Sequence, residues 1–396
     1  MNIALLSEKY TPDIGGLAIS TERLARLLTS AGHKIRVFCP SRSLLPSEKR
    51  TLTHSGVSVT RFGAHKRVDD TLVDWFELVV EEHKREPFDV LHAYFLTQAG
   101  FVATYTGKYL DIPSVVSIRG NDIERAAFDP SRFSHTMYAL QNASAVTTNA
   151  SELMKKAKAF LDREVILIPN GVDTEHFKPM ERNEILAETL GLKTLESDSL
   201  LSNIGEQAPR LQNNSVIGFV GELREKKGLK TLLSAYTTIN KKRSLTLLIV
   251  GEVRQGEDKQ VFDEFQASHP DSQIIVTGYI SPKDLPAYYS LIDVFVHSSL
   301  RDGMPNAVLE AMACERAVVA TGVGGVSDVI KDSENGITVP ANNAESLSKA
   351  ITKLLDDESL RCRLGRSARE TIQKDFTLQK ELIANLDVYK SLGINL

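Results

Sequence analysis

The sequence predicts an α/β chain built as two Rossmann-like, doubly wound domains facing across a cleft. Three observations carry this. At 396 residues the chain exceeds what one hydrophobic core of ordinary size organises. Buried-strand and amphipathic-helix patterns alternate from the first residue, which implies βαβ units and a mostly parallel sheet. The alternation lapses over a polar stretch, 180–214, and then restarts, so a second series follows the first.

Taken in order, "NIALLS" reads as a buried strand and "GGLAISTERLARLLTSAGH" as a helix. In that helix Leu17, Leu24, Leu27, Leu28 and Ala31 share one face, and Gly32 closes it. "KIRVFCP" is the next strand, followed by "DVLHAY" (89–94), "SVVSIRG" (114–120), "AVTTNA" (145–150) and "VILIPNG" (165–171). Residues 179–214 are set apart as a linker with an insertion, holding one short helical candidate near 183–190. The second series runs through "SVIGFVGEL" (215–223), "SLTLLIVGE" (244–252), "QIIVTGYI" (273–280), "DVFVHSS" (293–299) and "RAVVATG" (316–322), and the last 40 residues are helical. The domains are therefore expected at 1–178 and 215–376, with a C-terminal helix, 377–396, returning to the first.

Composition bounds the function. Hydrophobic residues at 42% and charged residues at 25% are ordinary for a globular chain, and a net charge of −4 without a long basic block argues against nucleic acid as a partner. Cys39, Cys314 and Cys362 stand far apart with no metal-ligand spacing, which suits a reducing compartment. "MNIALLS" lacks a basic n-region, and no apolar run approaches the roughly 20 residues of a membrane span. A cytoplasmic protein is expected, and the sequons at Asn142 and Asn149 are taken as chance matches. The basic helix "SELMKKAKAFLDR" reads first as a solvated face and second as a peripheral contact with the inner face of an anionic membrane.

Three segments carry chemistry. Gly15 and Gly16 follow the first strand and open the first helix, where glycine lets a ligand approach the free N–H groups; a simple tight turn is the competing reading. "GELREKKGLKTLLSAY" begins at Gly221 and puts Arg224, Lys226 and Lys227 ahead of a helix. Cations gain nothing from a helix N-terminus, so a bound anion such as phosphate explains them better than a solvated charge run. In "RDGMPNAVLEAMACERAVVATGVGG" (301–325), Pro305 suits a first helical position, and Asp302 and Glu310 are carboxylates at the mouth and flank of an apolar helix. Carboxylates accept well from sugar hydroxyls; a core arginine for Glu310 is the alternative. Gly324 and Gly325 repeat the glycine-then-helix logic and offer a phosphate cradle. His33, His92 and His297 read as structural, since none has a placed partner.

In this order and spacing, "GG" at 15–16, "GH" at 32–33, "DVLHAY", "IPNGVDTEHF" at 168–177, "GELREKKG", "GYIS" at 278–281 and "DGMPNAVLEAMA…GVGGVSDVI" at 302–330 resemble the retaining glycosyltransferases of GT-B fold, family 4 (group 1), over nearly the whole chain. The resemblance implies an N-terminal acceptor domain and a C-terminal donor domain that binds a nucleotide-sugar. Asp302 and Glu310 match the family's acid–x7–Glu motif, with Asp in place of the usual first Glu. Glu310 is then expected to accept from the ribose hydroxyls, and Asp302 to lie near the reacting carbon with Gly303, Met304, Pro305 and Asn306 around the donor. Lys227 matches the diphosphate lysine, and backbone groups at Tyr279 and Ile280 match the base-holding stretch. Glu222 stands where the family usually has arginine, leaving Arg224 to reach the phosphates. "RGND" replaces an "HGxD"-like segment, so Arg119 and Asn121 become phosphate or acceptor candidates and Asp122 a candidate to orient an acceptor hydroxyl.

The implied reaction is retaining, metal-independent transfer from a UDP-sugar, less readily a GDP-sugar, to a polysaccharide, oligosaccharide or glycolipid. No cofactor is expected, the nucleotide-sugar being substrate. Two other readings compete: a nucleotide-sugar 2-epimerase of GT-B shape, and a non-catalytic nucleotide-sugar binding protein. A dinucleotide dehydrogenase is disfavoured because neither half has GxGxxG.

Overall fold

The computed structural model describes residues 1–13, 15–124, 128–192 and 215–395. The chain divides into two units, Met1–Gly171 with Leu378–Leu396, and Val172–Thr377. The proposed insertion over 193–214 lies outside the described residues. Val172–Leu192, assigned from sequence to the first domain and the linker, belongs to the second unit. The physical reason is packing: Val172, Phe177, Ala187 and Leu192 are buried in that unit's core. The short helical candidate is present as Glu184–Thr189, capped by the Asn183 side chain accepting from the Leu186 amide.

The first unit is an eight-stranded sheet: β1 Asn2–Leu6, β2 Lys34–Ser41, β3 Lys49–His54, β4 Val57–Gly63, β5 Val90–Ala93, β6 Ser114–Ile118, β7 Ala145–Thr148 and β8 Ile166–Leu167. Their order is β3-β4-β2-β1-β5-β6-β7-β8, and all pairs are parallel except the β3–β4 hairpin. β1 lies between β2 and β5, with Ile3 opposite both Ile35 and Val90, so the strand order reverses there. Both faces of β1 are covered, which is why it reads as an unbroken apolar run. In the first helix, Gly16–Ser30, the buried stripe is Ala18, Thr21, Leu24, Ala25 and Leu28. Leu17 and Leu27 are half-buried at its margin, and Ala31 is exposed at the C-cap.

The β3–β4 hairpin was not expected from the sequence. β3 is exposed along its whole length, so it shows no apolar alternation. Its turn, Ser55-Gly56, has both residues at positive φ (49° and 78°), the two-residue geometry that matches strand twist.

The second unit is a six-stranded, all-parallel sheet: β9 Ser215–Val220, β10 Leu245–Val250, β11 Gln273–Val276, β12 Val294–His297, β13 Ala317–Thr321 and β14 Ile337–Val339. The order β11-β10-β9-β12-β13-β14 places the reversal between β9 and β12, where Ile217 faces Val294. In such sheets the crevice at the carboxyl ends of the two strands flanking the reversal is where ligands bind. Alternate residues feed two cores. Leu247 and Ile249 pack with Leu232, Leu233 and Tyr236 of helix Leu229–Asn240 on one face, while Leu248 and Phe295 pack with Val308, Leu309 and Met312 on the other. Each fully buried side chain of this kind contributes about 1.5–3 kcal/mol relative to exposure.

The C-terminal helix, Leu378–Ser391, packs on the first unit. Glu381 accepts from Arg23 at 2.8 Å and from the Gly171 amide at 2.9 Å, and Tyr389 bonds the buried His92 at 2.6 Å. Among the described residues no helix is long and apolar enough to cross a membrane.

Candidate functional site

The carboxyl ends of β9, β11 and β12 carry the residues of interest in the second unit. After β9 the chain passes Glu222 and Arg224 into a short 3-10 turn, Glu225–Lys227. Gly228 follows at φ 77° and leads into helix Leu229–Asn240. Glycine is required there on two counts: the left-handed backbone, and a carbonyl of Ser298 that a Cβ would strike. The close approach lets the Ser298 hydroxyl donate to the Lys227 carbonyl at 2.8 Å and the Leu300 amide donate to the Lys226 carbonyl at 2.9 Å. The Lys227 backbone is thereby fixed to the segment that follows β12, and its side chain reaches across the switch point.

That side chain pairs with Asp302. Lys227 Nζ donates to Asp302 Oδ2, His297 Nε2 stands 3.3 Å from the same oxygen, and the Gly303 amide donates to Oδ1 at 3.0 Å. Burial by itself would raise the Asp302 pKa, but the Lys227 ammonium and His297 outweigh it and hold the carboxyl well below the usual carboxylate range. Burial keeps His297 neutral, lowering its pKa despite the nearby carboxylate. Gly324 permits another close approach, since a Cβ there would strike the Asp302 carbonyl. The expected phosphate cradle at Gly324 and Gly325 is corrected by this: the Gly325 amide donates to the Gly303 carbonyl at 2.5 Å, so these glycines join two loops.

Glu310 lies on helix Asn306–Ala313, among buried Val308, Leu309, Ala311 and Met312. Tyr289, fully buried, donates its hydroxyl to Glu310 Oε2 at 2.9 Å. Burial, then the adjacent Glu310 charge, raises the Tyr289 pKa well above its ordinary value, so it stays a donor. The carboxylate in the apolar helix therefore has the Tyr289 hydroxyl as a partner. Pro305 is the N-cap, one position earlier than expected. Met304 is buried and Asn306 half-buried beside it. Arg224 pairs with Glu222 at 3.3 Å. Tyr279 is 60% exposed beyond β11, and Ile280 packs partly on the core.

The structure thus gathers Arg224, Lys227, Tyr279, Ile280, Asp302, Gly303, Met304, Pro305, Asn306 and Glu310 on one unit. Gly15, Gly16, Arg119, Asn121 and Asp122 belong to the other. Gly15 and Gly16 open the first helix as expected from their spacing. Arg119 lies 4.1 Å over the Tyr94 ring and donates to Asn170 Oδ1 at 2.6 Å. Asn121 starts a helical turn, Asn121–Glu124, and its side chain is outside the described residues.

Asp122 requires a correction. It is 1% exposed, and its carboxylate accepts from the backbone amides of Arg119 (2.9 Å), Leu96 (3.1 Å), Gly120 (2.7 Å) and Ile123 (3.1 Å). A carboxylate so enclosed organises its own loop and presents no oxygen to an acceptor hydroxyl. Burial pushes its pKa up to about 6, against the pull of those four amides.

Sequence reasoning missed Tyr289 and the placement of His297 against Asp302. "AYYSLIDVF" offers Tyr289 only as one more apolar residue. The polar run His297-Ser298-Ser299, which closes a buried strand, is the available sign of a strand end turned toward a site.

Among the described residues no group of three or more His, Cys, Asp or Glu side chains is placed to hold a metal ion. Residues 14–176 match the profile of Glycosyltransferase Family 4, and residues 203–371 match that of Glycosyl transferases group 1. An uncharacterized glycosyltransferase of Methanocaldococcus jannaschii is 24% identical over 97% of this chain and 96% of its own length. A GDP-mannose-dependent alpha-mannosyltransferase of Mycobacterium tuberculosis is 25% identical over 94% of this chain and 92% of its own. The crystal structure of Anabaena HepE in complex with UDP superposes with a TM-score of 0.79 at 17% identity, covering 99% of this chain and 100% of that one. With two profiles spanning most of its length and two parallel-sheet units of GT-B type, the chain belongs to the family 4, group 1 glycosyltransferases.

Proposed function

We propose that this glycosyltransferase is a retaining, metal-independent enzyme that takes a sugar from a UDP-sugar, or secondarily a GDP-sugar, and passes it to a polysaccharide, oligosaccharide or glycolipid. The observation that supports the donor site is the Lys227–Asp302 pair spanning the β9/β12 switch point. When the bond from the sugar's C1 to phosphate breaks, negative charge grows on the nucleoside diphosphate and positive charge on C1. Lys227 and Arg224 meet the first, and the Asp302 carboxylate, held ionised, meets the second. Preorganised charges of this kind are worth most where water is excluded. Retention follows from front-face attack, in which the acceptor oxygen bonds C1 and its proton passes to the departing phosphate oxygen. Glu310, steadied by Tyr289, accepts from ribose hydroxyls, and the backbone at Tyr279 and Ile280 borders the base.

UDP is placed first because a fold neighbour was crystallised with it, and GDP second because a full-length relative is GDP-mannose-dependent. A thermal-shift panel of UDP, GDP, ADP and NAD, with and without EDTA, tests this. A ligand at 100 times its Kd stabilises by about 2.7 kcal/mol. A UDP or GDP shift that survives EDTA is expected; a shift that EDTA abolishes, or one given by NAD alone, would contradict the reading.

A further inference from the structure

We infer that His297 is a positioning residue that takes over the Asp302 carboxylate when Lys227 is drawn off to the donor's diphosphate. The inference rests on the donor-site reading above.

Three side-chain and backbone groups meet one carboxylate here. Oδ1 is held by the Gly303 amide, so half the carboxylate stays fixed whatever happens on the other side. Oδ2 is held by Lys227, and His297 Nε2 stands 3.3 Å from it without an aligned hydrogen bond. Nε2 is fully buried and finds no other acceptor. A buried ring nitrogen left short of a bond is costly, and the His297 backbone is held in its strand, its carbonyl accepting from Thr321. Nε2 thus stands beside an oxygen already held by Lys227.

Lys227 has room to turn that His297 lacks, its side chain being 23% exposed against 3%. The lysine backbone is fixed through Ser298 and Leu300, but its ammonium sits at the end of a flexible stem. A diphosphate, with more negative charge and more acceptor oxygens than one carboxylate, competes for it. Once Lys227 turns away, Oδ2 is open to the imidazole, and the neutral ring donates through Nε2–H. Asp302 then keeps its orientation and its charge during the step in which it faces C1.

The test reads the bond directly and also reads catalysis. Nitrogen-15 NMR of the histidine rings, with His297 assigned through His297→Gln, is expected to show the Nε2–H tautomer and a downfield move of that proton on addition of UDP. An unprotonated Nε2 in the UDP-bound protein would overturn the inference. In kinetics, His297→Leu is expected to lower kcat about tenfold with donor KM within twofold, the loss of one hydrogen bond to a charged group. His297→Gln, which keeps an N–H donor, is expected to recover most of it. An unchanged kcat in His297→Leu, or equal losses of kcat, affinity and melting temperature that Gln does not rescue, would mean a packing role only. A wild type that binds UDP and forms the bond but transfers no sugar would defeat the transferase reading and leave the NMR result standing.

Discussion

Two aspartates, Asp122 in the first unit and Asp302 in the second, are held in opposite ways. In the first unit Asp122, almost fully buried, accepts from four backbone amides. In the second, Asp302 is paired with Lys227 and Glu222 with Arg224, with all four side chains partly open to solvent. A carboxylate satisfied by backbone cannot exchange its partner without unfolding its loop. One satisfied by a lysine or arginine can release that cation to an incoming anion. Asp122 is scaffold, Asp302 is exchangeable charge in the proposed donor site, and the difference lies in the hydrogen-bond donor.

Asp302→Asn gives the sharpest way to break this contrast. Removing the charge opposite C1 is expected to lower kcat about 10²–10³-fold while UDP still shifts the melting curve; an enzyme with near-normal turnover would remove Asp302 from the reaction. Asp122→Asn comes next and is expected to act on stability, costing about 1–3 kcal/mol at pH 7, because an amide NH₂ would confront backbone N–H donors.

The two acids also differ in sign with pH. Asp122, with its folded pKa pushed up to about 6, contributes stability that is present below about pH 4 and lost as pH rises through 6. Asp302, held low, contributes stability above about pH 4 that is lost as acid is added. Urea melts from pH 4 to 7 are expected to show a flatter profile between 4 and 6 for Asp122→Asn than for wild type. An identical slope would show that burial does not govern Asp122.

Smaller effects refine the second unit. Glu310→Gln is expected to weaken UDP or GDP affinity about tenfold with the ligand-free melting temperature unchanged, whereas a drop in that temperature would make Glu310 a structural acid. Glu222→Gln is expected to tighten nucleotide binding about twofold by relaxing its hold on Arg224. Its size is small because the pair is substantially exposed and screened, and weaker binding would instead make Glu222 part of the site.

Much of this architecture was legible in the residues. Buried parallel strands such as Leu245–Val250 show as apolar runs, and the polar break before Ser215 separates the series. The exposed strand Lys49–His54 carries no such pattern, and its hairpin was signalled only by Ser55-Gly56. The boundary at Gly171 was hidden because Val172 and Phe177 are as apolar as the strand before them, and only tertiary packing assigns them to the second unit. Within the candidate site, individual residues could be picked out, but partners distant in sequence could not. Lys227 and Asp302 are 75 residues apart, Tyr289 and Glu310 21. The enclosure of Asp122 depends on backbone N–H groups, whose directions no side-chain pattern reports.

Isothermal titration with UDP and GDP, run on wild type, Lys227→Met and Asp122→Asn, tests the contrast most directly. Lys227→Met is expected to lose at least tenfold in affinity for whichever nucleotide binds, while folded Asp122→Asn stays within twofold of wild type. Equal binding by Lys227→Met and wild type, or a loss confined to Asp122→Asn, would contradict the assignment of exchangeable charge to the second unit.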